Sequence, residues 1–352
     1  MRLPPAILDA TRLTREGRLN EATAMLRGLF GGAMTPAPAA APTILRHQPA
    51  RLADAAKAPR QPGDGADTTD RPPHFETRVH AGPHGRLTYK LYVPAQAAPG
   101  APLIVMLHGC TQTPDDFARG TRMNRLADAH GFLVAYPEQT PSANASRCWN
   151  WFRPDDQRRD AGEPARIAGM TREIVARHMI DQKRVYVAGL SAGGAAAAIM
   201  GETYPDLFAA VGVHSGLACG AASDMAGAMM AMRRGGRGAT AQMAPVFVPT
   251  IAFHGDRDTI VDKVNSDEIV ARAHRGQGLT LTTETIQGGT PGGRAHVRRV
   301  LRDPQGRPRL EQWTIRGAGH AWAGGDPAGS YTDPTGPDAS REMVRFFLAQ
   351  GA

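Results

Sequence analysis

The chain has 352 residues, 41% of them hydrophobic and 21% charged, and its net charge of +8 is carried almost entirely by arginine. That length suits one large α/β domain with an appendage, or two small domains, and the apolar content is that of an ordinary globular protein. No basic run is interleaved with aromatics and no helix-turn-helix or RNA-binding signature occurs, so nucleic acid is not an expected partner; three cysteines are too few for a disulfide scaffold.

The first residues read as two short helices, Pro5 to Glu16 and Arg18 to Phe30, with Ile7, Leu8, Leu13, Leu19, Leu26 and Leu29 at helical spacing. They resemble a single tetratricopeptide unit, which cannot bury its apolar face alone. This helical hairpin (1–32) is therefore a candidate for self-association or a protein contact. Arg12, Arg15 and Arg18 interrupt any signal-peptide pattern, and no run of about 18 apolar residues exists to span a membrane. The interrupted signal-peptide pattern points to a cytoplasmic protein. An Ala/Pro/Gly-rich stretch over 33–73 reads as a linker, and the folded catalytic domain is expected over 74–352.

Within that domain, Phe75 to His80 and Arg86 to Val93 read as strands around a Gly82–Gly85 turn. The wholly apolar Leu103–Leu107 reads as a central parallel strand. Pro114 to His130 reads as one helix, with Thr113 as N-cap and Gly131 as stop. Phe132 to Tyr136 is the next strand, and Glu163 to His178 the next helix. Further strands are expected at Arg184–Gly189, Ala209–Val213 and Thr250–Phe253, followed by a hairpin of Val297–Asp303 with Arg309–Arg316. A final amphipathic helix covers Ala339–Ala349. The Met-rich stretch from Ser223 to Arg234 is expected to be a buried amphipathic helix, with a soft hydrophobic flank near the cleft as the alternative. Strands alternating with helices imply a mostly parallel sheet with helices on both faces.

Gly189-Leu190-Ser191-Ala192-Gly193 is a G-x-S-x-G pentapeptide between a strand and a small-residue helix. That is the context of a nucleophile elbow, whose sharp turn demands tiny neighbours on either side of the serine. Downstream strand ends supply His254-Gly255-Asp256-Arg257-Asp258 and Gly319-His320. A serine hydroxyl needs a base, histidine can be that base near neutral pH, and a carboxylate fixes the histidine's tautomer. The order Ser191, Asp258, His320 is that of an α/β-hydrolase triad. Asp256 is a rival for the acid and Asp262 a third candidate. The oxyanion hole needs two backbone N–H donors; Ala192 and Cys110 are placed to provide them. Trp149, Trp151 and Trp322 lie in the suspected site loops and could wall an apolar cleft for an acyl substrate, with ordinary core packing the alternative, above all for Trp151. One bridge among Cys110, Cys148 and Cys219 is possible, and sequence does not choose it. His108, His214 and His254 show no metal-site spacing, and neither metal nor cofactor is expected.

The segments LHGCTQTPDDFA, FLVAYPEQ, ASRCWNWF, VYVAGLSAGGA, VGVHSGL, IAFHGDRDTIV and GAGHAWAGG together resemble the polyhydroxybutyrate (PHB) depolymerase family of esterases, type 2 catalytic domain. The resemblance implies an α/β-hydrolase fold and hydrolysis of short-chain poly- or oligo(3-hydroxyalkanoate) esters. It also implies Ser191, Asp258 and His320 as triad, the Cys110 amide in the oxyanion hole, and aromatic residues along the substrate crevice. Members are often extracellular, in contrast to the cytoplasmic expectation from the N-terminus. The alternatives are a carbohydrate esterase (feruloyl or acetyl) using the same triad, an acyltransferase that passes the acyl group to an alcohol, and a partner-binding protein with an idle core.

Overall fold

A computed structural model describes residues 72–236, 248–275, 281–289 and 292–351. The expected hairpin over 1–32 and all of the expected linker except Pro72 and Pro73 lie outside those residues.

Ten strands form one sheet. In chain order they are β1 (His74–Gly82), β2 (Gly85–Val93), β3 (Leu103–Leu107), β4 (Leu133–Pro137), β5 (Val185–Leu190), β6 (Ala210–His214), β7 (Thr250–Gly255), β8 (Thr282–Gly288), β9 (His296–Arg302) and β10 (Pro308–Ile315). Their spatial order is β1-β2-β4-β3-β5-β6-β7-β10-β9-β8. The middle run from β4 to β10 is parallel. Antiparallel strands close both edges: β1 and β2 on one side, β9 and β8 on the other. The chain moves outward from β3 to β4, then returns to place β5 on the other side of β3. The carboxyl ends of β3 and β5 therefore flank the point where strand order reverses, where open α/β sheets leave a crevice.

The five side chains of β3 are wholly buried and alternate between the two faces. Leu103, Val105 and Leu107 join the core under α3 (Gly162–His178) and α4 (Ala192–Thr203). Ile104 and Met106 join the other core with Phe117, Met123 and Ala127, and with Met343, Phe346 and Phe347 of the closing helix, Ala339–Leu348. A strand covered on both faces has no polar side to show, which is why it reads as a continuous apolar run.

Several expectations need correction. The helix expected over Pro114–His130 is two, α1 (Pro114–Thr121) and α2 (Met123–His130), broken at Arg122 in left-handed backbone (φ 55°). The break has a tertiary cause. Gly120 lies against Gly329, and the Arg122 guanidinium bonds the Gly324 carbonyl, so the turn is held from a distant loop. Thr113 does cap α1, accepting the Asp116 N–H at 3.3 Å, and Gly131 does end α2 at φ 69°. The Met-rich helix, α5 (Met225–Arg234), is buried through only one of its methionines, Met232, which packs partly buried against the core. Met225, Met229 and Met230 are exposed, while Ala228 and Ala231 face inward. Their small size lets Asn265 reach the Ala231 carbonyl at 3.0 Å. Strand β8 and helix α6 (Val264–Arg275) were not expected. Strand β8 is a largely exposed edge, so no alternation marks it.

Candidate active site

Ser191 sits between the end of β5 and the first residue of α4, with φ 57° and ψ −119°. Its N–H donates to the His214 carbonyl at 2.9 Å and its carbonyl accepts the Ala195 N–H at 2.9 Å. The two flanking glycines are obligatory. A Cβ on Gly189 would lie 2.3 Å from the Gly193 carbonyl oxygen, and one on Gly193 would lie 2.0 Å from the Leu107 oxygen. The backbones of β3, β5 and α4 meet here with no room for a side chain. Ala192 opens α4, so its N–H belongs to the helix's unpaired first turn and points where negative charge is favoured.

The loop after β3 lies against the elbow, since a Cβ on Gly109 would be 3.5 Å from the Leu190 oxygen. The amides on either side of Cys110 are both engaged: Gly109 N–H donates to Gln112 Oε1 at 2.9 Å and Thr111 N–H to the Ser146 carbonyl at 2.7 Å. Cys110 is disulfide-bonded to Cys148, which resolves the open pairing and leaves Cys219 as a buried thiol. Burial pushes that thiol up to about 12. His108 is buried beneath the loop. Its Nε2 accepts the Gln139 N–H at 3.1 Å, so Nδ1 carries the proton and donates to the Gly109 carbonyl at 2.8 Å. Burial lowers its pKa to about 4, keeping it neutral. Next to the disulfide, Glu163 accepts from the Asn150 backbone N–H at 2.8 Å and its side-chain amide at 2.7 Å, and from Gln139. Burial first, and the nearby Asp156 charge second, raise the Glu163 pKa to about 7.

On the other side, His320 Nδ1 lies 2.7 Å from Asp258 Oδ2. The second oxygen, Oδ1, accepts the Ile260 and Val261 N–H groups, each at 2.9 Å. The Asp258 side chain has no exposed surface. Burial pushes its pKa up, but the His320 hydrogen bond, the charges of His320 and His254 and the Val261 N–H outweigh it and hold the carboxyl below its ordinary value. The rival carboxylates face backbone instead. Asp256 accepts the Gly317 N–H at 2.6 Å, and Asp262 accepts the Val264 N–H at 2.9 Å at the start of α6.

The tryptophans are where the sequence expectation departs most from the structure. Trp149, Trp151 and Trp322 are 1%, 6% and 1% exposed, so they are core beneath the loops, not an open wall. Each indole is held by neighbours below the surface. Trp149 Nε1 donates to the His108 carbonyl at 3.1 Å, and Trp322 Nε1 to Ser340 Oγ at 3.0 Å. Trp322 stacks on His214 at 5.2 Å, and Trp151 packs edge-on to Phe152. His214 Nε2 accepts the Ala323 N–H at 3.0 Å, and burial lowers its pKa to about 3. What sequence reasoning missed is Tyr331. It is 47% exposed, and its hydroxyl lies 3.2 Å from Thr111 Oγ1 beside Cys110. It stands in a polar loop with no apolar periodicity, and only its being an isolated aromatic there could have drawn attention. Among the described residues no cluster of three or more His, Cys, Asp or Glu could hold a metal ion, and no helix is long and apolar enough to cross a membrane.

A serine on a strained turn at the strand-reversal point, with a carboxylate-bonded histidine from later strand ends, on a mixed sheet covered on both faces, defines the α/β-hydrolase fold. A solved acetyl xylan esterase from Aspergillus awamori shares that fold, with TM-score 0.59 and 20% identity, covering 78% of this chain and 99% of its own. The family model "Esterase PHB depolymerase" matches residues 87–295, and the chain belongs to that family. A poly(3-hydroxyalkanoate) depolymerase C from Paucimonas lemoignei is 34% identical over 247 residues, covering 67% of this chain and 58% of that protein. A feruloyl esterase B from Thermothelomyces thermophilus is 31% identical over 219 residues, 57% of this chain and 74% of that one. The chain thus spans little more than half the length of the depolymerase.

Proposed function

We propose that this protein is a serine carboxylesterase acting on short-chain poly- or oligo(3-hydroxyalkanoate) esters. The observation that carries the reading is the 2.7 Å bond from His320 Nδ1 to buried Asp258, which follows the carboxyl end of β7 as the strained Ser191 follows that of the parallel β5. With Nδ1–H given to Asp258, Nε2 is the ring nitrogen that accepts a proton. Ser191 Oγ attacks the ester carbonyl as Nε2 takes its proton. The oxyanion is met by the Ala192 and Cys110 N–H groups. On collapse the ester C–O bond breaks and the alcohol departs with the proton from His320. Water then repeats the sequence on the acyl-enzyme, releasing the acid and restoring Ser191.

The substrate class follows the depolymerase relative, whose match extends over 247 residues. A second reading, an esterase of feruloyl or acetyl groups on polysaccharide, is favoured by the feruloyl esterase B relative. The Cys110–Cys148 bond supports an oxidising compartment over the cytoplasmic one expected from the N-terminus.

The test is hydrolysis of p-nitrophenyl butyrate and of a 3-hydroxybutyrate oligomer by the wild type and by Ser191→Ala. Both substrates should turn over in the wild type and fall by about 10⁴–10⁶-fold in the variant. Turnover of the activated ester alone moves the substrate toward sugar esters. Activity that survives in Ser191→Ala defeats the mechanism.

A further inference from the structure

Two non-glycine residues in left-handed backbone touch each other beside the oxyanion loop. Thr111, directly after Cys110, has φ 66°, and Tyr331 has φ 51°; their hydroxyl oxygens are 3.2 Å apart. Such conformations persist only where the surroundings impose them, and they cluster at positions that handle ligands. Tyr331 is gripped from both halves of the site. Its carbonyl accepts the N–H of Trp322, two residues past His320, at 2.7 Å. The preceding Ser330 is held from the other half: its carbonyl accepts Gln112 Nε2 at 3.1 Å, and its N–H donates to Asp116 Oδ1 at 3.0 Å. Yet the residue remains 47% exposed, whereas Trp149, Trp151 and Trp322 are buried. The backbone is fixed at the seam between the Cys110 loop and the His320 loop, and the aromatic ring is displayed there. An aromatic held this way offers a large flat contact at little entropic loss.

We propose that Tyr331 is a specificity residue whose ring supports the part of a 3-hydroxyalkanoate chain that continues beyond the scissile ester. The assignment rests on the ester-hydrolysis reading above and deepens it. A repeating chain with a methyl-bearing face has apolar surface to lay on a ring; a minimal ester has almost none.

The experiment measures kcat and KM for p-nitrophenyl acetate, a 3-hydroxybutyrate trimer and an acetylated xylo-oligosaccharide, in wild type, Tyr331→Phe and Tyr331→Ala. Tyr331→Ala should raise KM for the trimer about tenfold while p-nitrophenyl acetate changes by less than about twofold. Tyr331→Phe keeps the ring and should stay within about threefold of wild type on the trimer. Three results overturn the assignment: no change in the trimer, an equal loss on trimer and p-nitrophenyl acetate, or a Phe variant as impaired as the Ala variant. The last would give the role to the hydroxyl and loop packing. A wild type that hydrolyses the sugar ester but not the trimer sinks the hydroxyalkanoate reading separately; a KM rise for the sugar ester in Tyr331→Ala then keeps the ring as an extended-chain contact. A wild type limited to p-nitrophenyl acetate overturns both.

Discussion

Ser191 and Cys110 are placed by backbone against backbone. Gly189 and Gly193 leave no space between β3, β5 and α4, and a disulfide ties the Cys110 loop to Cys148. His320 and Asp258 are placed by side chains, 62 residues apart in sequence, on loops that meet through hydrogen bonds. The Trp322–Thr332 pairing and the Arg294–Asp333 ion pair hold the histidine loop, with no covalent tie. The Ser191 half, the proposed nucleophile side, is thus rigid by construction of the sheet, while the His320 half, the proposed acid–base side, depends on individual polar groups. This division fits the chemistry. A nucleophile and oxyanion hole work by pre-organised geometry, whereas a base must be oriented and also exchange a proton.

The sharpest way to break the comparison is on the acid–base side. Asp258→Asn removes the charge that orients His320, and kcat for p-nitrophenyl butyrate should fall by about 10³–10⁴-fold with the fold retained. A loss smaller than tenfold would give the role to Asp256 or Asp262, against the geometry described above. On the nucleophile side, replacing Cys110 and Cys148 together by serine should destabilise the protein by about 4 kcal/mol, given a separation of 38 residues. Denaturant unfolding measures it. The same variant should lose up to about 10²-fold in kcat if the bond also aims the Cys110 N–H. A variant of unchanged kcat would show that backbone contacts alone hold the loop.

The smallest effect sharpens the comparison by pH. Glu163 braces the Asn150 segment next to Cys148, and its carboxyl is raised from 4.5 to about 7. A raised carboxyl binds its proton more tightly in the folded state. Its contribution to stability is therefore full below about pH 4.5 and is lost as pH rises through about 7. The wild type should lose on the order of 3 kcal/mol across that window relative to Glu163→Gln, which cannot titrate. Melting temperatures of the two proteins at several pH values give the difference, and parallel curves would deny Glu163 this role.

How much could be read in advance differs between the two halves in the same way. The elbow is a local object: five consecutive residues, a strand before and small residues after, so steric necessity writes it into the sequence. The apolar run of β3 is equally legible because burial on both faces removes every polar choice. The carboxylate partner of His320 was harder to read, since Asp256, Asp258 and Asp262 share one short segment. Only the folded loop turns Asp258 to His320 and gives the other two to Gly317 and Val264. The tryptophans misled because nearness in sequence to a site loop does not say which way a large side chain points; here packing takes all three into the core, and indole hydrogen bonds fix Trp149 and Trp322 there.

Local sterics and periodicity thus determined, from the amino acids alone, the strained Ser191 turn, the chain order of Ser191, Asp258 and His320, most of the parallel strands and the cap of α1. Tertiary structure decided the break at Arg122, the choice of Asp258, the Cys110–Cys148 pairing, the burial of the tryptophans and the display of Tyr331. The physical reason is range. A turn or a strand is fixed by residues a few positions apart, but a side chain's partner is fixed by whichever distant segment the sheet brings beside it.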